Sequence, residues 1–77
     1  MDLENDKSRI IAFGNRVKAV RREKQITQEE LAFRAGITTS QVGRIERGKI
    51  NTGIHTVFVL AVALEVDPGE LFAKDDC

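Results

Sequence analysis

Three hydroxyls and three cations crowd into TTSQVGRIERGK, the stretch from Thr38 to Lys49. Thr38, Thr39 and Ser40 supply groups that both donate and accept hydrogen bonds, while Arg44, Arg47 and Lys49 supply positive charge. Such a set suits gripping an oriented anionic partner, and a guanidinium can bind two acceptors on one edge with its planar fork. Bond-breaking chemistry has little to work with. The one histidine, His55, stands beside Thr56 at a predicted helix start, with no Asp or Cys placed to complete a triad or a metal set. Glu29 with Glu30 and Asp75 with Asp76 are sequence neighbours, and adjacent residues on a helix do not converge. No glycine-rich phosphate loop follows a strand, since no strand is expected. The expectation is therefore no enzyme, no metal and no cofactor.

The chain has 77 residues, enough for one small domain with a single modest core. Its formal net charge is zero, from 12 Lys plus Arg and 12 Asp plus Glu. That average conceals a segregation. Residues 1–8 sum to −2 and residues 50–77 to −4, so the middle, 9–49, carries +6. A basic centre between acidic ends fits an oriented polyanion, although a solvated helix surface would look the same on charge alone. The only cysteine is Cys77, so no intrachain disulfide can form and a reducing cytosol fits. No charged-then-apolar leader opens the chain, and the longest apolar run, Val57 to Leu64, is far short of the ~20 residues of a membrane span. A soluble cytoplasmic protein without a membrane partner is expected.

The elements that must position the Thr38–Lys49 groups are legible from periodicity. Ile10, Phe13, Val17 and Val20 recur in steps of three and four, which predicts an amphipathic helix from about Ser8, as N-cap, to Lys24. Thr27 stands three residues before Glu30, a capping box for a second helix whose buried side is Leu31, Ala32 and Ala35 and which Gly36 ends. Thr38 repeats the pattern with Gln41 and opens a third helix, with Val42 and Ile45 inward and Gly48 ending it near Arg47. Next, IHTVFVLAVALEV reads as a helix through Ile54, Val57, Phe58, Ala61 and Leu64, although its valines would also permit a strand. Asp67, Pro68 and Glu70 then predict a cap, a first-turn proline and an N3 carboxylate for a short fifth helix bearing Leu71 and Phe72.

Two short helices joined by a glycine-containing corner form a helix-turn-helix, in which the first braces the second. The segments RREKQITQEELA, AGITTSQVGRIERGK and LAVALEVDPGELF together resemble the phage repressor and Cro type of helix-turn-helix, the XRE-like family of small bacterial and phage transcription regulators. The resemblance covers roughly residues 13–72. It implies an all-α, compact five-helix, lambda-repressor-like fold. The domain would occupy residues 9–73, between an N-terminal extension at 1–8 and a tail at 74–77. It further implies a homodimer on a palindromic double-stranded DNA operator, with helix three in the major groove, and repression, which needs only occupancy. An activator that touches RNA polymerase through its surface, as restriction-modification controller proteins of this fold do, stays open.

Carried over by position, the resemblance assigns Gln28 to a phosphate clamp at a helix N-terminus. Thr38, Thr39, Ser40, Gly43, Arg44 and Arg47 fall on or beside the groove-facing side of helix three. Arg44 is the base reader, a guanidinium that can pair two-pronged with guanine O6 and N7. Ser40 fits a base edge, a phosphate or a cap. Lys49, Asn51 and Thr52 lie in the loop that contacts backbone phosphates in relatives, and Arg47 adds to that clamp. Arg21 and Glu46 occupy positions that form an internal ion pair in several relatives and are read as structural.

Four departures stand out. Gly43 either lets helix three approach the bases or is a tolerated cost of roughly 1 kcal/mol relative to alanine. Thr52 and Gly53 replace the family's proline and hydroxyl, so Thr52 is expected to cap a turn early. Phe33 either covers the stems of helix one or marks a protein contact. Helix four is apolar almost all round, which predicts burial on more than one side. Val59, Val62, Val66, Leu71 and Phe72 are accordingly read as a two-fold dimer interface, with Leu3 and the first residues folding back over the same strip as the rival. A second function class follows from these residues: an antitoxin or other partner module in which Phe33, helix four or the acidic tail binds a toxin or another protein. RNA binding has weaker support, since the chain lacks Trp and Tyr for stacking.

Overall fold

The computed structural model describes residues 3–72, and the side chains from Lys7 onward. Four α-helices are followed by a short 3₁₀ helix: α1 Leu3–Glu23, α2 Gln28–Ala35, α3 Thr39–Glu46, α4 Ile54–Leu64 and the 3₁₀ turn Pro68–Phe72. The described residues contain no strand, so the strand reading of the apolar segment is set aside. Two corrections to the expected architecture concern the ends. The expected fifth α-helix is a single 3₁₀ turn, closed by the Glu70 N–H donating to the Asp67 carbonyl at 2.9 Å. At the other end, α1 begins at Leu3 and not near Ser8, so Ser8 is an interior helical residue and no N-cap, and residues 3–8 continue the helix instead of folding back. The tail 74–77 lies outside the described residues.

The caps explain why the middle helices start and stop where they do. Thr27 Oγ1 accepts from the Glu30 N–H, and Thr38 Oγ1 accepts from the Gln41 N–H, each at 3.0 Å. The Glu30 carboxylate does not complete a reciprocal box; it accepts from Arg34 Nε one turn on, at 2.9 Å. Between α2 and α3, Gly36 sits at φ 73°, a conformation that glycine adopts without a side-chain penalty, and the Ile37 N–H returns to the Ala32 carbonyl at 3.0 Å. This closes the corner within three residues, Gly36 to Thr38, and fixes α3 against α2. At α4 the expected hydroxyl cap is absent: Gly53 is the N-cap, with no side-chain hydrogen bond, and Thr52 does not cap.

One core joins all five elements. Val17 and Val20 from α1, Leu31 from α2, Val42 and Ile45 from α3, Leu60 and Leu64 from α4 and Leu71 from the 3₁₀ turn are its most deeply buried side chains. Helix α3 packs on α1 and α2, α4 packs on α2, and the 3₁₀ turn packs on α1 and α4. Two polar ties reinforce the frame: Arg16 Nε donates to the Glu70 carbonyl at 2.7 Å, and Arg34 Nη1 reaches the Ala63 carbonyl at 3.4 Å. Phe13 and Phe72 rings meet at 5.3 Å between centroids, in a tilted arrangement.

Candidate nucleic-acid interface

Helix α3 is divided along its length. Val42, Ile45 and Glu46 are buried, whereas Ser40, Arg44 and Arg47 on the other side, and Thr39 at the first turn, are exposed. Thr38 is exposed at the start of the same helix with its oxygen engaged by the cap; Lys49 and Asn51 are exposed in the loop beyond it. The structure therefore brings Thr38, Thr39, Ser40, Arg44 and Arg47 onto or beside one small helix.

The buried side of α3 ends in a polar knot. Arg21 Nε donates to Glu46 Oε2 at 2.7 Å and Arg21 Nη2 to Glu46 Oε1 at 3.0 Å, a two-pronged pair in which both residues are buried. Arg21 Nη1 donates to the Ile26 carbonyl at 2.8 Å, and Gln28 Nε2 donates to Glu46 Oε1 at 3.0 Å. The guanidinium is held above its ordinary pKa, first by the hydrogen bond to Glu46, against the opposing effect of burial. The Glu46 carboxylate thus ties α1, α2 and α3 together, and its partner Arg21 adds the link before α2. The sequence had the pair but not Gln28's part in it, and a side-chain amide in the first turn of α2 gives no sequence signal of which group it will meet.

Three sequence assignments change in detail. Gln28 is half-buried and its side-chain nitrogen donates one hydrogen bond to Glu46, so its amide is partly engaged inside the domain. Gly43 is buried: a methyl group there would lie 3.0 Å from Arg47 Nη1, so the space left by the missing side chain is filled by the Arg47 guanidinium lying back along α3. Thr52 is half-buried with its Oγ1 enclosed and without a hydrogen-bond partner. Three cations of the basic middle are also committed internally, namely Arg16, Arg21 and Arg34.

The apolar strip is redrawn as well. Leu71 is completely buried in the core, so it forms no outer surface as the sequence reading had it, and Val66 is partly buried against the core. Val62 is 76% exposed, Phe72 is exposed and Val59 is half-buried. Ile54 and Phe58, two of the residues whose spacing reads as a helix, are exposed; with Val62 they step by four along α4. Helix α4 is therefore buried on one side only, through Val57, Leu60, Ala61 and Leu64. Phe33 is 85% exposed and covers nothing on α1.

Among the described residues no group of three or more His, Cys, Asp or Glu side chains could hold a metal ion, and no helix is long and apolar enough to cross a membrane.

A helix-turn-helix family model matches residues 17–71, which takes in the whole of α2, the corner and α3. The chain belongs to the helix-turn-helix family. Within it, the chain is 38% identical over 63 residues to the uncharacterized HTH-type transcriptional regulator y4dJ of Sinorhizobium fredii, covering 82% of each chain. It is 32% identical over 62 residues to the immunity repressor protein of Bacillus phage phi105, and that match spans 80% of this chain but 43% of the repressor. Among solved structures, the restriction-modification controller protein C.AhdI from Aeromonas hydrophila superposes with a TM-score of 0.80 at 41% identity, covering 82% of this chain and 96% of that one. The phage-repressor type of helix-turn-helix inferred from the sequence is thus the family of these relatives.

Proposed function

We propose that this protein is a sequence-specific, double-stranded DNA-binding transcriptional regulator: a cytoplasmic homodimer that represses by placing α3 in the major groove of a palindromic operator. The observation that carries this reading is the division of α3. Its outer side offers hydroxyls and guanidinia, and its inner side is locked by the buried Arg21–Glu46–Gln28 knot. Base readout requires side chains held in register on a stiff element, and here the stiffness is built in. Arg44 is the base reader, Thr39 and Ser40 assist it, Arg47, Lys49 and Asn51 meet phosphates, and the N-terminus of α2 at Gln28 holds another phosphate. The names of the relatives, a transcriptional regulator, a phage immunity repressor and a controller protein, support the same role.

The dimer joins through the outer strip of α4, with Val59, Val62 and Phe72 from the sequence reading and with Ile54 and Phe58 added. A two-fold pair of this kind sets half-sites about one helical turn, ~34 Å, apart. Selection of binding sites from a random duplex library, then affinity against salt for the winner, tests the reading. A two-fold symmetric site with a steep salt slope is expected. Only weak binding to all DNA, or sedimentation as a monomer at high micromolar concentration, would remove the operator or the dimer respectively.

A second reading has its own observation. Phe33 is a large apolar side chain almost wholly in solvent on α2, which favours a protein partner, a toxin or RNA polymerase, on that face. In the partner-module version DNA binding is secondary, and Thr39, Ser40 and Arg44 tolerate substitution while Phe33 does not.

A further inference from the structure

Helix α3 meets α1 at glycine, and the contact is backbone against backbone. A methyl group at Gly14 would fall well inside van der Waals contact distance of the Ile45 carbonyl oxygen and 3.1 Å from that of Glu46, so no residue with a side chain fits without moving one helix from the other. Next to it, Gly48, the left-handed residue just past α3 at φ 70°, lies so close to α1 that a methyl there would be 2.8 Å from Ile11 Cγ1 and 2.9 Å from Ile11 Cα. Two turns further along α1 from Gly14, Arg21 grips the Glu46 carboxylate. Ile11, Gly14 and Arg21 follow one another at helical spacing and share a stripe of α1.

We infer that this stripe is a seat for the last turn of α3, with Gly14 the positioning residue that sets the tilt of α3 on α1. The Arg21–Glu46 pair alone is a side-chain link that long rotamers can accommodate over a range of angles. The Gly14 contact permits no such range, because carbonyl oxygens of α3 rest on the α1 backbone. A shift at the C-terminal end of α3 swings its N-terminal half, where Thr39 and Ser40 stand. On the DNA-binding reading proposed above, on which this consequence rests, Gly14 determines operator specificity without touching DNA.

The test uses the full chain and the variant Gly14→Ala. Residual dipolar couplings give the orientation of α3 relative to α1, and titrations give affinity for the selected operator and for a random duplex. The expected result is a folded protein in which α3 has turned on α1. Its affinity for the operator falls at least about tenfold, the scale of one lost base contact, while its affinity for the random duplex stays within about twofold. A general loss of stability would lower both affinities together, so their ratio separates positioning from mere destabilisation. A folded Gly14→Ala protein with α3 oriented as in the parent overturns the inference, as does an unchanged affinity ratio. Should Gly14→Ala fail to fold, Ile11→Ala decides, since it removes the Cγ1 that lies against Gly48 without adding atoms. There the amides of Gly48 and Lys49 are expected to exchange hydrogen about tenfold faster with those early in α3 unchanged, and parent-like exchange throughout overturns the seat. If the parent protein selects no operator, the proposed function fails, and the dipolar couplings alone then decide the seat.

Discussion

The outer faces of α3 and α4 are both exposed, yet they are opposites. On α3 the exposed side chains are Thr39, Ser40, Arg44 and Arg47, and the helix beneath is fixed by a buried ion pair and by glycine contacts to α1. On α4 the exposed side chains are His55 and a run of large apolar ones, Ile54, Phe58 and Val62, and the helix starts from a glycine with no side-chain cap. Water solvates the first face at little cost and the second poorly, so the first can wait for a partner while the second is stabilised by being covered. On the proposed function, the contrast means that one small domain separates reading from assembly. The proposed reading helix gets its rigidity from the inside, and the proposed assembly helix would get its partner from the outside.

Breaking the rigid side should have the largest effect. Glu46→Ala leaves the Arg21 guanidinium buried without its carboxylate and takes the acceptor from Gln28. Removing one member of a buried pair costs about 3–5 kcal/mol, a large share of the stability of so small a domain. Urea unfolding is the measurement. Replacing both partners, Arg21→Met with Glu46→Leu, should recover most of that loss, because no charge then remains buried. If the double variant is stable but has lost operator affinity, the knot serves the aim of α3 more than the fold.

Breaking the assembly side comes next. Val62→Asp puts a carboxylate in the middle of the proposed α4 interface, and burying it unpaired would cost several kcal/mol. Sedimentation should show monomer where the parent is dimer, with the melting temperature of dilute samples unchanged, since Val62 is exposed in the single chain. Loss of the fold in dilute solution would instead mean that the strip belongs to the core.

Arg44→Ala tests the reading face directly. Its side chain is exposed and shows no hydrogen bond among the described residues, so stability should move by less than about 0.5 kcal/mol. Operator affinity should fall by about 1–3 kcal/mol, with discrimination relaxed at one position of each half-site. An affinity that stays at the parent level would favour the partner-module reading.

What the sequence revealed and what it hid have the same physical origin. Thr27, Thr38 and Gly36 were legible because caps and corners are local chemistry, settled within four residues. Val42 and Ile45 were legible because α3 has a polar side to give its apolar side a phase. In α4 that phase is missing: where nearly every residue is apolar, periodicity cannot tell the inward Val57, Leu60 and Leu64 from the outward Ile54, Phe58 and Val62. The start of α1 was hidden for a related reason, since LENDKS carries no apolar period at all. Gly14 was silent because the cause of its missing side chain is a carbonyl on another helix. The Arg21–Glu46 pair came from family resemblance, and no spacing rule would have joined two residues so far apart in the chain.

The smallest prediction bears on the loop that links the two faces. Thr52 stands between Lys49 on the reading side and α4 on the assembly side, and its enclosed hydroxyl has no partner among the described residues. A buried hydroxyl left unpaired costs about 1–3 kcal/mol, and valine keeps the branched shape without the polar atom. Thr52→Val should therefore raise stability by up to about 1 kcal/mol, seen as a higher urea midpoint with an unchanged slope. The operator titration gives the variant its second use. Thr52 was assigned, with Lys49 and Asn51, to the loop that meets phosphate, but an enclosed oxygen cannot reach one unless the loop opens. Higher stability with unchanged affinity would leave the phosphate contact to Lys49 and Asn51. Higher stability with weaker binding would mean that the loop turns Thr52 outward on DNA, at the expense of the α4 end it packs against in the free protein.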